Sequence, residues 1–376
     1  MRRSILLTIF APILLSCSSS NESDIKKEYF VDVLLEKIES SKKKIIFINE
    51  IHKTPFHRYT TECLIKGISE TLGPVQFFAA ETFLKETKEY DGKEVFPKKY
   101  GYYVNEPFFA ELLYTSYHTA DALVAYDMLP GYNRPPEFGL VDVHLNRREA
   151  ASAKHLNKFM KELQSGHFMI IHTGPSHNNR NNNGEVKWVA TILESLLNYN
   201  IFTIKQDAGN LIRVDRRDKI FPGVELHWRF DVGDNAYIKS AAFRADIDIA
   251  LRDPDTQINT RIRELTYDQE IDYLAQWCPY RTIQSFDLPD VALDETRTFS
   301  VFHAEHKRFG VPVARTDIEP GQADVRALLA PGDYYYVLQG PPDADGYIHI
   351  LHQQSFAVTD AEARHEASLR ADVSAG

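Results

Sequence analysis

The sequence predicts an α/β protein: a mostly parallel sheet with helices on both faces, followed by a small β-sandwich-like C-terminal module. Three observations carry this expectation. Short, nearly continuous apolar runs recur at 45–48, 75–80, 122–126, 168–171 and 201–204, as strands buried on both faces require. Segments with helical spacing separate them, and such alternation builds parallel strands joined by crossover helices. Beyond residue 290 the pattern changes to strand-like runs split by turn formers, which suits an antiparallel sandwich.

Each element has its own local reason. Residues 44–48 (Lys-Ile-Ile-Phe-Ile) open the first strand. Thr54 and Pro55 suit an N-cap and a first helical position, and Leu64, Ile68 and Leu72 continue at helical spacing. Residues 75–80 give a second strand, 107–117 a helix and 122–126 a third strand. Asn146 with Glu149 three residues on resembles a capping box, which puts Arg148 in a first helical turn; Ala150, Ala153, Leu156, Met160 and Leu163 then mark the helix face. Trp188, Val189, Ile192, Leu193, Leu196 and Leu197 form a broad helical stripe. Residues 178–183, nearly all Asn, read as a flexible loop, 245–251 as a strand completing the first sheet, and 260–277 as a helix. Strand-like runs at 298–302, 334–338 and 347–351 build the last module, with turns at Pro331-Gly332-Asp333 and 341–346.

The leader is informative. Met1-Arg2-Arg3 precedes an apolar run over 5–15. That run is too short for a membrane span of roughly 20 residues and has the length of a signal-peptide core. Leu14-Leu15-Ser16-Cys17 resembles the lipobox of bacterial lipoproteins. The resemblance implies lipidation of Cys17, a tether beginning Ser18-Ser19-Ser20, and a soluble body held at a membrane face. Ser18 rather than Asp after the cysteine favours the outer membrane by the same resemblance. An ordinary cleaved signal with an incidental cysteine is the alternative, and it too exports the chain. No other stretch is long and apolar enough to cross a membrane. The expected layout is a signal peptide at 1–16, a tether at 17–40, the α/β domain at 41–258, a connecting segment at 259–290, the β-rich module at 291–362 and a tail at 363–376. A composition shift supports a boundary between about 210 and 260: 19 Lys and 10 Arg occur up to Lys219, against 2 Lys and 12 Arg beyond it.

The formal charge is −10, becoming −12 when Arg2 and Arg3 leave with the leader. So acidic a body argues against nonspecific nucleic-acid binding. Cys63 and Cys278 could pair in an oxidising compartment. Because they fall in different expected domains, two free, half-buried thiols are expected, and neither has a metal-ligand spacing.

Polar residues sit where apolar strands end. After the first strand come Asn49-Glu50-Ile51-His52, and in an extended chain Glu50 and His52 point the same way. Glu81 follows the second strand; His172 and Gly174-Pro175-Ser176-His177 follow the fourth; Arg148 lies at a helix start. Ligand crevices of open parallel sheets form at these carboxyl ends. Singly, each residue also suits a solvated or structural role, and His172 could equally cap its strand.

Asn49-Glu50-Ile51-His52 with His57, Ala79-Ala80-Glu81-Thr82-Phe83, Arg148-Glu149 and Gly174-Pro175-Ser176-His177 resemble, in order and spacing over about 40–210, four blocks of one superfamily. It contains TIKI/TraB proteins, erythromycin-esterase-like enzymes and ChaN-like haem-uptake lipoproteins. Two departures stand out. Asn49 replaces the first glycine of the Gly-Glu-x-His block, where Asn tolerates left-handed backbone. Asp127 sits where some esterase-like members have Glu.

The resemblance implies a hydrolase acting on a small-molecule or peptide substrate, with Glu50, His52, Glu81, Arg148 and His177 sharing one pocket. His52, Glu81 and His177 would hold a divalent metal, or His52 would act as a general base; Arg148 would stabilise an oxyanion. The ChaN-like branch implies instead noncovalent haem, with His57 and His172 as cofactor-binding residues. A catalytically degenerate binding protein is the third reading, for which Asn49 is the best argument.

Overall fold

The computed structural model describes residues 30–50, 56–83, 107–127, 141–180, 186–207, 218–221, 224–227, 247–251, 271–272, 274–275, 279–289, 295–305, 312–342 and 348–359. The leader with Cys17, and also His52 and Cys278, lie outside them.

The apolar runs become strands β1 (Ile45–Asn49), β2 (Val75–Ala80), β3 (Ala120–Ala125), β4 (Phe168–Thr173) and β5 (Ile201–Asp207). A hairpin, β6 (Asp218–Phe221) and β7 (Val224–His227), and β8 (Ile247–Leu251) complete an eight-stranded sheet in the order β3-β2-β4-β1-β5-β8-β7-β6. The first six strands of that order run parallel, and the hairpin is antiparallel. The 245–251 run thus joins the first sheet as its alternation suggested. The hairpin's four-residue strands are too short to leave a periodic signal.

Side-chain alternation sorts the strands' apolar residues into two cores. Ile46, Ile48, Phe78, Ala80 and Ile170 pack against α1 (Phe30–Ser41), α2 (Phe56–Gly67) and α3 (Pro107–Thr119). Ile45, Phe47, Phe77, Ala79, Met169 and Ile171 pack against α4 (Val141–Glu162) and the short α5 (Val189–Thr191), which runs into a π-helical turn at Ile192–Leu196. α2 likewise ends in a π-helical turn, Ile68–Leu72. Gly73 closes it at φ +139°, where a Cβ would lie 2.9 Å from the Gly166 carbonyl oxygen. Among the described residues no helix is long and apolar enough to cross a membrane.

Several local expectations are corrected. α1 occupies the end of the stretch assigned to a tether; Val31, Leu34, Leu35 and Ile38 form one helical stripe and bury it. α4 begins five residues before Asn146. Asn146 and Glu149 do accept backbone N–H bonds, but from Lys187 at 2.8 Å and Val189 at 3.0 Å. They cap the start of α5 rather than their own helix, and Arg148 sits in the second turn of α4. Asn49 is not in a left-handed turn: it ends β1 in extended backbone. Its side-chain amide accepts from Gln206 N–H at 2.7 Å and donates to Gln206 O at 3.0 Å, adding one rung to the β1–β5 ladder. Asn178, expected in a flexible loop, is buried and donates to Asn49 Oδ1 and Ile204 O. Cys63 is buried and disulfide-bonded rather than a free, half-buried thiol.

Among the described residues the C-terminal module has six strands: β9 (Thr282–Asp287), β10 (Arg297–His303), β11 (Ala314–Ile318), β12 (Asp324–Leu329), β13 (Gly332–Pro342) and β14 (Ile348–Val358). An antiparallel sheet β11-β10-β13-β14 faces the pair β12-β9 across Phe299, Val301, Tyr336, Leu338, Val325 and Ala327. β9 lies within the segment assigned to a connector. It joins the sandwich on one side, while Ile283 and Leu328 turn into the α/β core on the other.

The module docks on α2 and α3 through buried charge. Arg281 reaches Glu62 at 2.5 Å and donates to Leu328 O at 3.3 Å. His303 Nε2 lies 3.1 Å from Glu111 Oε1, and its ring stacks between Tyr114 and Tyr334. Burial pushes the Glu111 carboxyl up, but His303, Arg281 and Lys66 outweigh it and hold the group down at about 2. Removing one partner of a buried pair strands the other's charge, at about 3–5 kcal/mol. Arg281→Met is therefore expected to destabilise the protein by about that amount in urea titrations; an unchanged midpoint would show that the pair does not hold the module.

Candidate active site

The carboxyl edge of β2, β4 and β1 gathers the polar residues, because these neighbours run in register. Glu81 N–H donates to His172 O at 3.0 Å, and Glu50 N–H to Thr173 O at 2.7 Å. Beyond that edge, alternation divides the side chains between the two faces. Glu81 follows the parity of Phe77 and Ala79 toward α4; Glu50 and His172 follow Ile48 and Ile170 toward α2 and α3.

On the α4 face, Glu81 Oε1 accepts from Arg148 Nη2 at 2.7 Å and lies 3.1 Å from His177 Nε2. Its Oε2 accepts from Gly174 N–H. The other nitrogen of His177, Nδ1, lies 2.8 Å from Glu149 Oε2, so the ring bridges two carboxylates. Arg148 is also forked onto Asp127, with Nε 2.9 Å from Oδ1 and Nη2 on Oδ2. Ser152 donates to the same Asp127 Oδ1 at 2.9 Å. Trp188 stands edge-on to the His177 ring. Glu81 and Arg148 keep partial access to solvent, at 12% and 27% of their side chains.

On the other face, Glu50 Oε2 accepts from Arg58 Nε at 2.6 Å and lies 3.0 Å from His172 Nε2. His172 Nδ1 is 3.1 Å from Thr61 Oγ1. Phe78 and Phe109 pack on the His172 ring, and Arg58 lies over Phe109. Glu50, Arg58 and His172 are all buried, as is His57, whose carbonyl accepts from Gln206 Nε2 and Thr61 Oγ1.

Of the residues expected to share one pocket, the structure therefore joins Glu81, Arg148 and His177, and places Glu50 with His172 across the sheet edge. Asp127, Glu149, Arg58 and Thr61 complete the two networks. Asp127 and Glu149 were visible in the sequence, the first as a departure from the family pattern and the second as a cap. Arg58 and Thr61 gave no signal beyond their helical position.

The electrostatics follow from these contacts. Burial pushes the His177 imidazole down, but Glu81 and Glu149 outweigh it and raise it to about 10. Burial pushes the Glu81 carboxyl up, but His177, Arg148 and the Gly174 N–H hold it down at about 2. Burial lowers Arg148, while Asp127 and Glu81 raise it further above its ordinary value. At neutral pH the centre thus holds an imidazolium and a guanidinium beside the Glu81 carboxylate.

Among the described residues no group of three or more His, Cys, Asp or Glu side chains is arranged to hold a metal ion. Glu81 already accepts from three donors and His177 has both nitrogens engaged, so these two, the described members of the expected set, offer no open position for a metal. His172 has both ring nitrogens engaged, which leaves neither for a haem iron.

No known family model matches the sequence, and no curated protein is significantly similar to it. Among solved structures, RRSP, a MARTX toxin effector domain from Vibrio vulnificus CMCP6, aligns with 46% of this chain at 14% identity and a TM-score of 0.26. The alignment spans 35% of that chain, too slight a likeness to bear on fold or function.

The shifted groups fix a pH window. His177 is raised from 6.5 to about 10, so its contribution to stability is full below 6.5 and lost as pH rises through about 10. Glu81 is lowered from 4.5 to about 2, so its contribution is full above 4.5 and lost as pH falls through about 2. Nitrogen-15 NMR should find the His177 ring doubly protonated at pH 8. Glu149→Gln should lower its midpoint by about a unit or more; a wild-type ring that titrates near 6.5 would contradict the bridged geometry.

Proposed function

We propose that this chain is a lipid-anchored, exported hydrolase whose Glu81–His177–Arg148 centre stabilises the oxyanion formed when water adds to a substrate carbonyl. The observation that carries this reading is the His177 ring held between Glu81 and Glu149. A cationic imidazolium cannot take a proton from water, and both its N–H groups are held by Glu81 and Glu149; it acts on a developing oxyanion through its fixed positive charge, without reorganising. Arg148 supplies the donor: its Nε and Nη2 are engaged, while Nη1 has no partner among the described residues. The low basicity of Glu81 suits a positioning carboxylate. The proton-accepting role falls to another group. Engagement of both His172 nitrogens favours this reading over haem binding.

The disulfide at Cys63 supports export, because such bonds persist in oxidising compartments. With Cys17 lipidated, the body sits at a membrane face, and Ser18 points to the outer membrane. Replacing Cys17 with Ala should move the protein from the membrane to the soluble fraction and remove the acyl mass from its N-terminal peptide. Retention at the membrane without acyl mass would refute the anchor.

The activity test uses the purified full chain and a panel of carboxylic esters, lactones and peptides. Arg148→Lys keeps the charge and loses the fork; His177→Gln keeps hydrogen bonding and loses the cation. Each is expected to lower kcat by about 10²–10³-fold, with circular dichroism confirming the fold. Turnover at the wild-type rate in folded His177→Gln would sink the proposal.

A further inference from the structure

Cys63 lies in α2, is buried and is disulfide-bonded. The chain has three cysteines, Cys17, Cys63 and Cys278, so within one molecule its partner is Cys17 or Cys278. Cys278 lies outside the described residues, but the chain on both sides of it is seated against α2. After it, the Tyr280 hydroxyl stands 3.3 Å from where a Cβ on Gly67 would lie, one turn along α2 from Cys63. Arg281 donates to Glu62, the residue before Cys63, at 2.5 Å, and its guanidinium lies 5.2 Å from the centre of the Tyr59 ring, one turn back. Before it, Ile271, Leu274 and Ala275 are buried in the core cluster that contains Cys63.

Chain length turns these contacts into a choice. Cys278 is two residues from Tyr280 and three from Ala275, which are at most about 7 and 11 Å of extended chain. A disulfide needs Cα atoms about 4.4–6.8 Å apart, within reach of residues already seated on the helix. Cys17 stands thirteen residues before Phe30, where the described chain begins. Its sulfur, once lipidated, forms no disulfide.

We propose that Cys63 is bonded to Cys278 and that the bond is a redox-sensitive latch holding the C-terminal module on α2. It closes a loop of more than 200 residues, and crosslinks over long loops restrict the unfolded chain most. A dithiol opens it by exchange: one thiolate attacks a cysteine sulfur to give a mixed disulfide, and the second thiol displaces that cysteine. Both cysteines return to thiols and the reductant leaves as its own disulfide. The module is then held by noncovalent contacts, the Arg281–Glu62 and His303–Glu111 pairs among them. The contacts around α2 carry this assignment, so it stands apart from the hydrolase reading.

The purified full chain, alkylated without reduction and digested with trypsin, tests the pairing. The expected product joins peptide 59–66, with Cys63, to peptide 264–281, with Cys278, and dithiothreitol separates the two. Alkylated Cys63 and Cys278 as the main species, or Cys63 joined to the peptide bearing Cys17, overturns it. Melting and hydrogen exchange test the latch. Dithiothreitol should lower the wild-type melting temperature by on the order of 10 °C. Cys278→Ser should melt at the lowered value with or without reductant; the wild-type comparison stands alone where that variant does not fold. Amide exchange in the reduced protein should rise in β9 and β12 more than in β1, β2 and β4. A bond whose reduction leaves melting and exchange unchanged, or loosens both regions alike, is not a latch.

Discussion

Alternation of side chains along an extended strand is the constraint on which the site depends. Both faces of the parallel sheet are covered, so every residue leaving its carboxyl edge is committed to one core or the other. β2 ends on the parity that sends Glu81 toward α4, whereas β1 and β4 end on the parity that sends Glu50 and His172 toward α2 and α3. Each carboxylate is then too deep to remain ionised alone. Each is met by an arginine from the helix on its own face, Arg148 for Glu81 and Arg58 for Glu50. The pairings are local solutions to a cost imposed by the sheet.

The same reasoning links the C-terminal module to the sheet edge. In α2, Thr61 bonds His172 while the next residue, Glu62, bonds Arg281 of the module. In α3, Phe109 packs on His172 and Arg58, and Glu111 two residues later meets His303. Thr115 Oγ1 donates to Glu62 and ties the helices together. The two helices thus carry one polar network toward the strand ends and another toward the sandwich. Without the module, Glu62 and Glu111 would lose the Arg281 guanidinium, and Ile283 and Leu328 would leave the α/β core. The module has a core of its own and lends Ile283 and Leu328 to that of the first domain.

Much of this architecture was legible in the sequence, for a definite reason. Strands buried on both faces appear as unbroken apolar runs, and β1 through β5 follow those runs closely. That property hides the faces from view. With apolar residues on both sides there is no polar alternation to tell the parity of Glu81 from that of Glu50, and the two read as neighbours in one pocket. Helix starts were legible only where the capping residue serves its own helix. Asn146 and Glu149 have the right spacing for a capping box, yet their acceptors serve α5, and only tertiary structure distinguishes the two cases. Arg58 and Thr61 stand at ordinary positions in a helix, and nothing in their spacing announces partners more than 100 residues away in Thr61's case.

Asn49 ends β1 as a structural residue. A glycine there would free the backbone but offer no side chain. The asparagine amide uses one acceptor and one donor on Gln206, as the backbone of another strand residue would. Gln206 Nε2 in turn donates to Asn49 O at 2.6 Å. Asn178 adds bonds to Asn49 and to Ile204, and it directly follows His177. The loop bearing the imidazole is thereby tied to β1 and β5, and the β1–β5 side of the edge is closed by buried amides. Access to the cluster is left to the β2–β4 side, where Glu81 and Arg148 retain their exposure. The guanidinium and carboxylate are therefore the groups of the cluster that face solvent, and Asn49 helps to close the opposite side.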